Sequence, residues 1–141
     1  VMQGPVASTV SQFNADAVYL DPPYTKRQYA GNYHILETIA REDEPEAIGD
    51  GGLRPWKDDA SAFCYRKTAG KALDEVLSNL DAADVFLSYS DDGQMHHEEI
   101  LEILASYGEV QLYQRKYTRY RSNGRARSDY IYEKLYHVHM R

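Results

Sequence analysis

The sequence is short of the features that mark secreted, disulfide-rich and membrane proteins. It holds one cysteine, Cys64, which excludes an internal disulfide framework and suits a reducing compartment. No apolar run approaches the roughly 20 residues that a membrane-spanning helix needs, and no secretory signal pattern opens the chain. Its 141 residues, 43% hydrophobic and 27% charged, match one globular domain. We therefore expect a single cytoplasmic domain over residues 1–141.

The sequence also lacks the overall positive charge that is typical of proteins that bind nucleic acid. Its formal net charge is −6, but the charges are segregated: residues 115–127 hold six basic and no acidic residues, while 42–59 hold seven acids and two bases. Seven of the 13 tyrosines lie between Tyr107 and Tyr136. Most of these tyrosines suit packing in strands, but interleaved tyrosine and basic side chains also suit stacking on bases beside a phosphate backbone. Residues 115–127, the basic stripe, therefore predict a nucleic-acid-binding surface.

Hydrophobic periodicity predicts strands and helices in alternation. The predicted elements are a strand at 17–21, helices at 28–41 and 67–80, a strand at 84–90, a helix at 96–107, and extended segments at 109–120 and 129–138. Both strands are expected to be buried, because each is a compact apolar run. The acidic, glycine- and proline-rich residues 42–60 predict a long loop insertion. Two βα units followed by an antiparallel hairpin around Ser122-Asn123-Gly124 predict an α/β fold that forms part of a Rossmann-like sheet.

The tetrapeptide Asp21-Pro22-Pro23-Tyr24 carries the clearest chemical signal. It follows the first strand, so it lies at the carboxyl edge of the sheet, where open α/β folds bind ligands. The prolines make a rigid loop of carbonyl acceptors, Asp21 adds a carboxylate, and Tyr24 adds an aromatic face. Two acceptors beside a stacking ring suit a planar ligand with an amino group, such as adenine. Holding both N6 hydrogens in a tetrahedral direction favours a localised lone pair that can attack a methyl sulfonium.

The chain resembles the D12, or Dam-like, class of DNA adenine N6-methyltransferases over residues 16–138. The matching stretches are Asp21-Pro22-Pro23-Tyr24, Arg27-Gln28-Tyr29, Asn32-Tyr33-His34, Leu36-Glu37-Thr38, Gly52-Leu53-Arg54-Pro55, Leu87-Ser88-Tyr89-Ser90 with Gly93, and 119–125. The resemblance implies S-adenosyl-L-methionine as methyl donor, a flipped adenine in DNA as acceptor, and a bacterial restriction-modification system. It makes Asp21, Pro22, Pro23 and Tyr24 the catalytic motif, with Asp21 also bordering the cofactor. The nucleic-acid-binding residues expected from the resemblance and the stripe are Arg27, Tyr29, Tyr89, Arg119, Arg121, Asn123, Arg125 and Arg127.

One departure from the family pattern bears on completeness. The complete enzymes carry, upstream of the catalytic motif, a strand with a glycine-rich turn that cradles the cofactor, and then a target-recognition region. Residues 1–16 supply neither. We therefore expect the chain to be the carboxyl-terminal, catalytic half of a methyltransferase, lacking the main cofactor loop, and inactive by itself. An exposed sheet edge is expected where the other half, or a second copy, packs.

Other readings of the sequence remain open or are disfavoured. The enzyme could methylate RNA or a protein amide, although relatives of that kind commonly carry Asn where Asp21 stands, or the chain could be a cofactor-less domain that only grips nucleic acid. Cys64 lacks the preceding proline of a cytosine-methylating nucleophile and is read as a bystander. His96-His97-Glu98-Glu99 does not match a zinc motif, and the pair His137 and His139 lacks a third ligand, so no metal is expected.

Overall fold

A computed structural model gives the fold and describes residues 1–2, 4–118 and 129–141. The helices are α1 (Val6–Val10), α2 (Tyr29–Asn32), α3 (His34–Arg41), α4 (Arg66–Ser78) and α5 (His97–Tyr107), with 3₁₀ turns at Lys57–Asp59 and Ala62–Cys64. The strands are β1 (Asn14–Leu20), β2 (Asp81–Ser90), β3 (Gly108–Thr118) and β4 (Tyr130–Met140). The expected turn at Ser122-Asn123-Gly124 lies outside the described residues.

The four strands form one mixed sheet in the order β1-β2-β4-β3. β1 and β2 are parallel, with Leu20 opposite Leu87, while β4 runs antiparallel to both β2 and β3. The helical connection between β1 and β2 and the closing hairpin confirm the predicted α/β fold with part of a Rossmann-like sheet.

The core lies on one face of the sheet. Helices α4 and α5 bury apolar stripes against it, as their 3.6-residue periodicity predicts. The stripes and the strand positions beneath them are fully or almost fully buried: Ala69, Leu73, Val76, Leu77, Ile100, Leu104, Val85, Leu87, Tyr136 and Val138. Burying each large apolar side chain contributes about 1.5–3 kcal/mol, so this layer supplies most of the fold's stability.

The expectation that the first strand is buried was wrong. None of the seven residues of β1 is buried, and Tyr19 is 61% exposed. Among the described residues β1 pairs only with β2, so one of its edges and much of one face are uncovered. In β2, which is central, half-buried and buried residues alternate from Asp84 to Tyr89, and the buried members such as Val85 and Leu87 belong to the face covered by helices. An apolar run predicts that a strand forms, but the burial of its side chains depends on which elements pack against it.

The helix expected over 28–41 is broken at Tyr33, whose φ of −107° and ψ of 20° are not helical. The second piece, α3, turns its apolar side outward. Its large apolar side chains are mostly exposed: Ile35 (63%), Leu36 (61%) and Ile39 (66%). This exposed stripe, the α3 apolar face, is the reverse of what a helix packed on a core presents.

The polar side of α3 anchors the acidic loop instead. Arg54, a buried residue of that loop, donates through both terminal nitrogens to the carboxylate of Asp43, at 2.5 Å each. It also donates to the hydroxyl of Thr38 on α3 at 3.3 Å. The hydrogen bond from Arg54 lowers the pKa of the Asp43 carboxyl below its ordinary value. A charge-assisted fork of this kind gives the loop a defined path across the helix.

The β3–β4 hairpin extends past the rest of the sheet. The last pair between β2 and β4 joins Ser90 to Glu133, but β3 and β4 continue pairing to Thr118 and Tyr130. Lys134 makes an ion pair with Asp91, and the backbones of Asp91 and Tyr132 are also hydrogen-bonded. The base of the overhanging two-stranded ribbon is therefore bound to Asp91, the residue that follows β2.

No helix of the described residues combines the length and the apolar character that crossing a membrane requires.

Candidate active site

The motif Asp21-Pro22-Pro23-Tyr24 begins immediately after β1, at the carboxyl edge of the sheet. Because β1 and β2 are parallel, this edge also holds the turn that follows Ser90. The side chain of Asp21 is exposed, whereas both prolines are half-buried. The motif thus presents its carboxylate to solvent from a loop that is packed on its other side.

Tyr24, the last residue of the motif, is half-buried. Its ring centroid is 5.6 Å from that of Tyr89 with an interplanar angle of 55°, and its carbonyl accepts a hydrogen bond from the backbone N–H of Gln94 at 2.9 Å. Partial burial raises the pKa of the Tyr24 phenol, and the negative charges of Glu133 and Asp21 raise it further. Tyr24 is therefore a neutral aromatic platform at physiological pH, with one part of its ring still accessible.

Tyr89 does not have the exposure expected of a nucleic-acid contact. Its side chain is 2% exposed, and its hydroxyl accepts a hydrogen bond from the backbone N–H of Met95 at 3.0 Å. Gly93 lies so close that an added Cβ would be 2.1 Å from the Tyr89 ring. The strand places Tyr89 on the covered face of the sheet, so we correct that expectation: Tyr89 supports the Tyr24 ring from within.

Two residues that the sequence did not single out for the site, Gln28 and Cys64, connect residues 61–64 to the motif loop, which runs over residues 21–28 between β1 and α2. The amide of Gln28 and the backbone of Ser61 exchange two hydrogen bonds, at 3.0 and 2.8 Å. The Sγ of Cys64 lies 3.6 Å from the Pro23 carbonyl oxygen and 3.5 Å from that of Arg27. Burial raises the pKa of the Cys64 thiol, which keeps it protonated and able to donate. The pairing of positions 33 residues apart has no local signal that could have revealed it.

The expected nucleic-acid residues are only partly described. Arg27 and Tyr29 are exposed next to the motif, and the Tyr29 ring meets that of Tyr33 edge-on at 5.6 Å. At the start of the basic stripe, Arg115 lies 5.2 Å from the Tyr117 ring, and the Lys116 ammonium lies 3.8 Å from the Tyr130 ring. The other expected residues, Arg119, Arg121, Asn123, Arg125 and Arg127, lie outside the described residues.

A cavity of about 340 Å³ lies beside Tyr89 and the residues that follow β2. Its lining residues are Tyr89, Ser90, Asp91, Met95, His96, His97, Glu98, Ile100, Lys134 and Tyr136, and do not include Asp21 or Tyr24. His97 is hydrogen-bonded to the hydroxyl of Tyr136 at 2.8 Å, and burial raises the pKa of that phenol. This polar recess therefore adjoins the same edge of the sheet through Ser90 and Asp91, although the motif does not line it.

The two strand histidines are used in hydrogen bonds rather than arranged as metal ligands. Nε2 of His137 lies 2.7 Å and Nδ1 of His139 lies 3.2 Å from the same carboxylate oxygen of Asp84, whose pKa these hydrogen bonds lower. The His137 ring also stacks on Phe86 at 4.4 Å. Within residues 1–2, 4–118 and 129–141, no group of three or more histidine, cysteine or acidic side chains is arranged to hold a metal ion.

For a cofactor, the described residues offer part of a site. The exposed Asp21 carboxylate suits the positively charged amino-acid end of a sulfonium cofactor at the sheet edge. The described residues before β1 form a five-residue helix and no glycine-rich turn after a strand. Among the described residues, the Asp21 carboxylate is thus the group that suits one end of such a cofactor.

Comparison with known proteins gives a consistent result. Residues 7–118 match the model of the family described as D12 class N6 adenine-specific DNA methyltransferase. The Type II methyltransferase M.FokI of Planomicrobium okeanokoites is 35% identical over 134 residues, which cover 93% of this chain and 21% of that protein. The modification methylase StsI of Streptococcus sanguinis is 33% identical, with coverages of 92% and 20%.

The Type II methyltransferase M.NlaIII of Neisseria lactamica is 32% identical, over 87% of this chain and 36% of that protein. No solved structure matches the chain. The chain thus spans about a fifth of the length of the first two relatives and about a third of the third.

Proposed function

The chain belongs to the D12 class N6 adenine-specific DNA methyltransferase family, and on this premise we propose that it forms the catalytic edge of an enzyme that methylates adenine N6 in DNA. The observation that carries the proposal is the placement of Asp21: an exposed carboxylate directly after a parallel strand, next to proline carbonyls and a half-buried tyrosine ring. The names of the relatives further support a role in a restriction-modification system. Such a reaction belongs in the cytoplasm, where its DNA substrate is found.

In the proposed reaction the chain binds and orients the base. The Asp21 carboxylate and the Pro22 carbonyl accept the two hydrogens of adenine N6, and Tyr24 stacks on the ring. Bound S-adenosyl-L-methionine supplies the electrophilic methyl group. The hydrogen bonds direct the N6 lone pair towards that methyl carbon, which would bond to N6 while the sulfur keeps the electrons of the carbon–sulfur bond. N6 would then give up one proton to the solvent at the exposed Asp21 carboxylate. The interactions strengthen as charge develops on N6, so they favour the transition state over the ground state.

DNA contacts are proposed for the exposed residues near this edge. Flipping an adenine out of the duplex costs a few kcal/mol of unstacking, which stacking on Tyr24 helps to offset. Arg27, Tyr29 and the basic stripe are placed in sequence to meet phosphates and neighbouring bases. Phosphate contacts give an affinity that falls steeply with salt and carries no sequence information of its own.

The test of this function uses the polypeptide that carries this sequence, together with any segment that precedes Val1. This protein is incubated with a mixture of DNA, RNA and peptide acceptors. With S-adenosyl-L-methionine labelled on its methyl group, we expect label on adenine N6 of DNA. Label on RNA or on a protein amide would support the second reading of the motif. Calorimetry that finds salt-sensitive DNA binding but no cofactor binding would instead support a domain that only grips nucleic acid.

We further propose that additional polypeptide of the same enzyme covers the free edge of β1 and the α3 apolar face. The relatives extend well beyond the matched region, by about four-fifths of their length in the first two cases. Within the described residues β1 pairs on one side only, and α3 exposes Ile35, Leu36 and Ile39. Exposed strand edges and apolar patches of this kind are normally paired or covered.

If this is correct, the 141-residue chain alone associates with itself through the uncovered apolar surface. Leu36→Lys places a charge in the centre of that surface and is expected to weaken self-association by at least about tenfold, since a buried leucine contributes roughly 1.5–3 kcal/mol. Sedimentation velocity over a range of concentrations measures the effect. Ala105→Lys, at an exposed helical position on α5, is the matched control and should behave like the parent chain. An unchanged sedimentation profile for Leu36→Lys would contradict the proposal.

A further inference from the structure

The motif loop has few hydrogen-bond donors of its own. Pro22 and Pro23 have no backbone N–H groups, so the loop has few donors with which to fix its own carbonyls. Its carbonyls instead accept from outside: Tyr24 from the N–H of Gln94 at 2.9 Å, and Pro23 and Arg27 from the thiol of Cys64, whose Sγ lies 3.6 and 3.5 Å away and whose one hydrogen they share. The direction in which the loop presents its acceptors therefore depends on where those outside donors are held.

Cys64 is held by a short and well-connected turn. The turn Ala62–Cys64 starts at Ser61, whose hydroxyl accepts from the N–H of Phe63 at 3.3 Å. The hydroxyl of Thr68, in the first turn of α4, donates to the carbonyl of Ala62 at 2.7 Å. Cys64 itself is 2% exposed. The turn thus connects the core helix α4 to the motif loop through one buried thiol.

Gln28 joins the other side of this turn to the end of the motif loop. Its Nε2 donates to the Ser61 carbonyl at 3.0 Å, and its Oε1 accepts from the Ser61 N–H at 2.8 Å. The side chain is 7% exposed, so these bonds have little competition from water. A side-chain amide that pairs with both groups of one backbone residue permits a single relative placement of the two segments, as a neighbouring strand does.

From these contacts we propose that Gln28 is a positioning residue for the catalytic loop, acting through Ser61 and Cys64 rather than on the substrate. The proposal rests on the function proposed above for Asp21, Pro22 and Tyr24. Losing the Gln28 amide frees the 61–64 turn, and with it the donor that orients the Pro23 carbonyl. It also leaves the N–H of the half-buried Ser61 without its acceptor, while the Ser61 carbonyl keeps the N–H of Cys64 at 3.2 Å. The unpaired N–H favours local opening of the loop.

The test uses Cys64 as a built-in reporter, because it is the single cysteine of the chain. Its rate of reaction with a thiol reagent under native conditions measures how often the turn opens, and it does so without any methyl transfer. Gln28→Met, which keeps the length but removes both hydrogen bonds, is expected to accelerate labelling by about tenfold, since the Ser61 N–H is then unpaired and opening becomes easier. Global unfolding, measured on the same sample, is expected to change much less.

Two controls separate positioning from a general loss of structure. Gln12→Met makes the same substitution at an exposed glutamine and should leave labelling unchanged. Ser61→Ala removes the hydroxyl but leaves the backbone groups that pair with Gln28, so it should have a much smaller effect. Where Gln28→Met does not fold, Gln28→Glu, which keeps the acceptor but loses the donor, replaces it and should still exceed Ser61→Ala. Labelling that is no faster than in these controls overturns the proposal.

The kinetic readout applies to the methylating protein. Gln28→Met is expected to lower kcat by about tenfold, with KM for DNA changed by less than about threefold, because misplaced acceptors act on the transition state more than on binding. Faster labelling with an unchanged kcat would show that Gln28 holds the turn but does not position the reacting loop, and would refute the role. A parent protein that transfers no methyl group would instead refute the proposed function, while the labelling result would stand on its own.

Discussion

We expect Asp21→Ala to lower methyl transfer to adenine strongly and to leave the fold intact. Asp21 is exposed and follows the last residue of β1, so truncating it creates no cavity and breaks no strand pairing. In the proposed reaction its carboxylate accepts one of the two N6 hydrogens as charge develops on nitrogen. Removing a single preorganised group that stabilises developing charge lowers kcat by about 100-fold or more in comparable sites. Transfer of labelled methyl groups to DNA measures the loss, and thermal unfolding measures the fold.

Two variants make this result specific. Asp16→Ala removes another exposed carboxylate, on β1 itself, and should keep full activity. Asp21→Asn keeps one acceptor oxygen without the negative charge and should fall between the parent and Asp21→Ala. Turnover by Asp21→Ala close to that of the parent would refute the role assigned to the carboxylate.

Gly108→Ala destabilises the fold by on the order of 3 kcal/mol, the upper part of the usual range for overpacking. Gly108 ends α5 and begins β3, opposite Met140 on β4. A Cβ at this position would lie 2.0 Å from the carbonyl oxygen of His139 and 2.8 Å from its carbon. These are backbone atoms of the neighbouring strand and have no rotamer through which to move aside. The first residues of the hairpin must then separate, and the melting temperature is expected to fall by about 10 °C.

Gly51→Ala is the matched control for this substitution. A Cβ at Gly51 would meet only the Cγ of Leu53, at 3.8 Å, which is an ordinary contact. Urea and thermal unfolding of both variants by circular dichroism give the comparison. Equal stabilities for the two variants would contradict the close approach of β3 and β4 at Gly108.

The parts of the fold that sequence predicts best are those where periodicity and breakers agree. The stripe through Leu73, Val76 and Leu77 places α4 on the core, and Gly108 marks the end of α5 as expected. The position of the Asp21-Pro22-Pro23-Tyr24 motif also follows from sequence. The prolines end the strand, so the residues that follow it lie at the carboxyl edge of the sheet. These features depend on residues close together in the chain.

The features that sequence did not predict depend on distant partners. Periodicity identifies the apolar side of α3 but cannot say that Arg54 will hold its polar side, leaving Leu36 exposed. The burial of Tyr89 follows from which face of β2 the helices cover, which the alternation alone does not determine. The pairing of Gln28 with Ser61 joins an amide to backbone groups, and backbone groups are the same in every sequence.

The overhanging part of the β3–β4 hairpin is attached to the rest of the sheet at one end only. A two-stranded ribbon has little stability of its own, so its bending is resisted mainly at the root, where Asp91 meets Tyr132 and Lys134. Asp91 directly follows β2, at the same rim as the catalytic motif. A displacement of the outer part of the ribbon is therefore expected to shift the sheet edge where the base is proposed to bind before it shifts the helices that pack on the sheet.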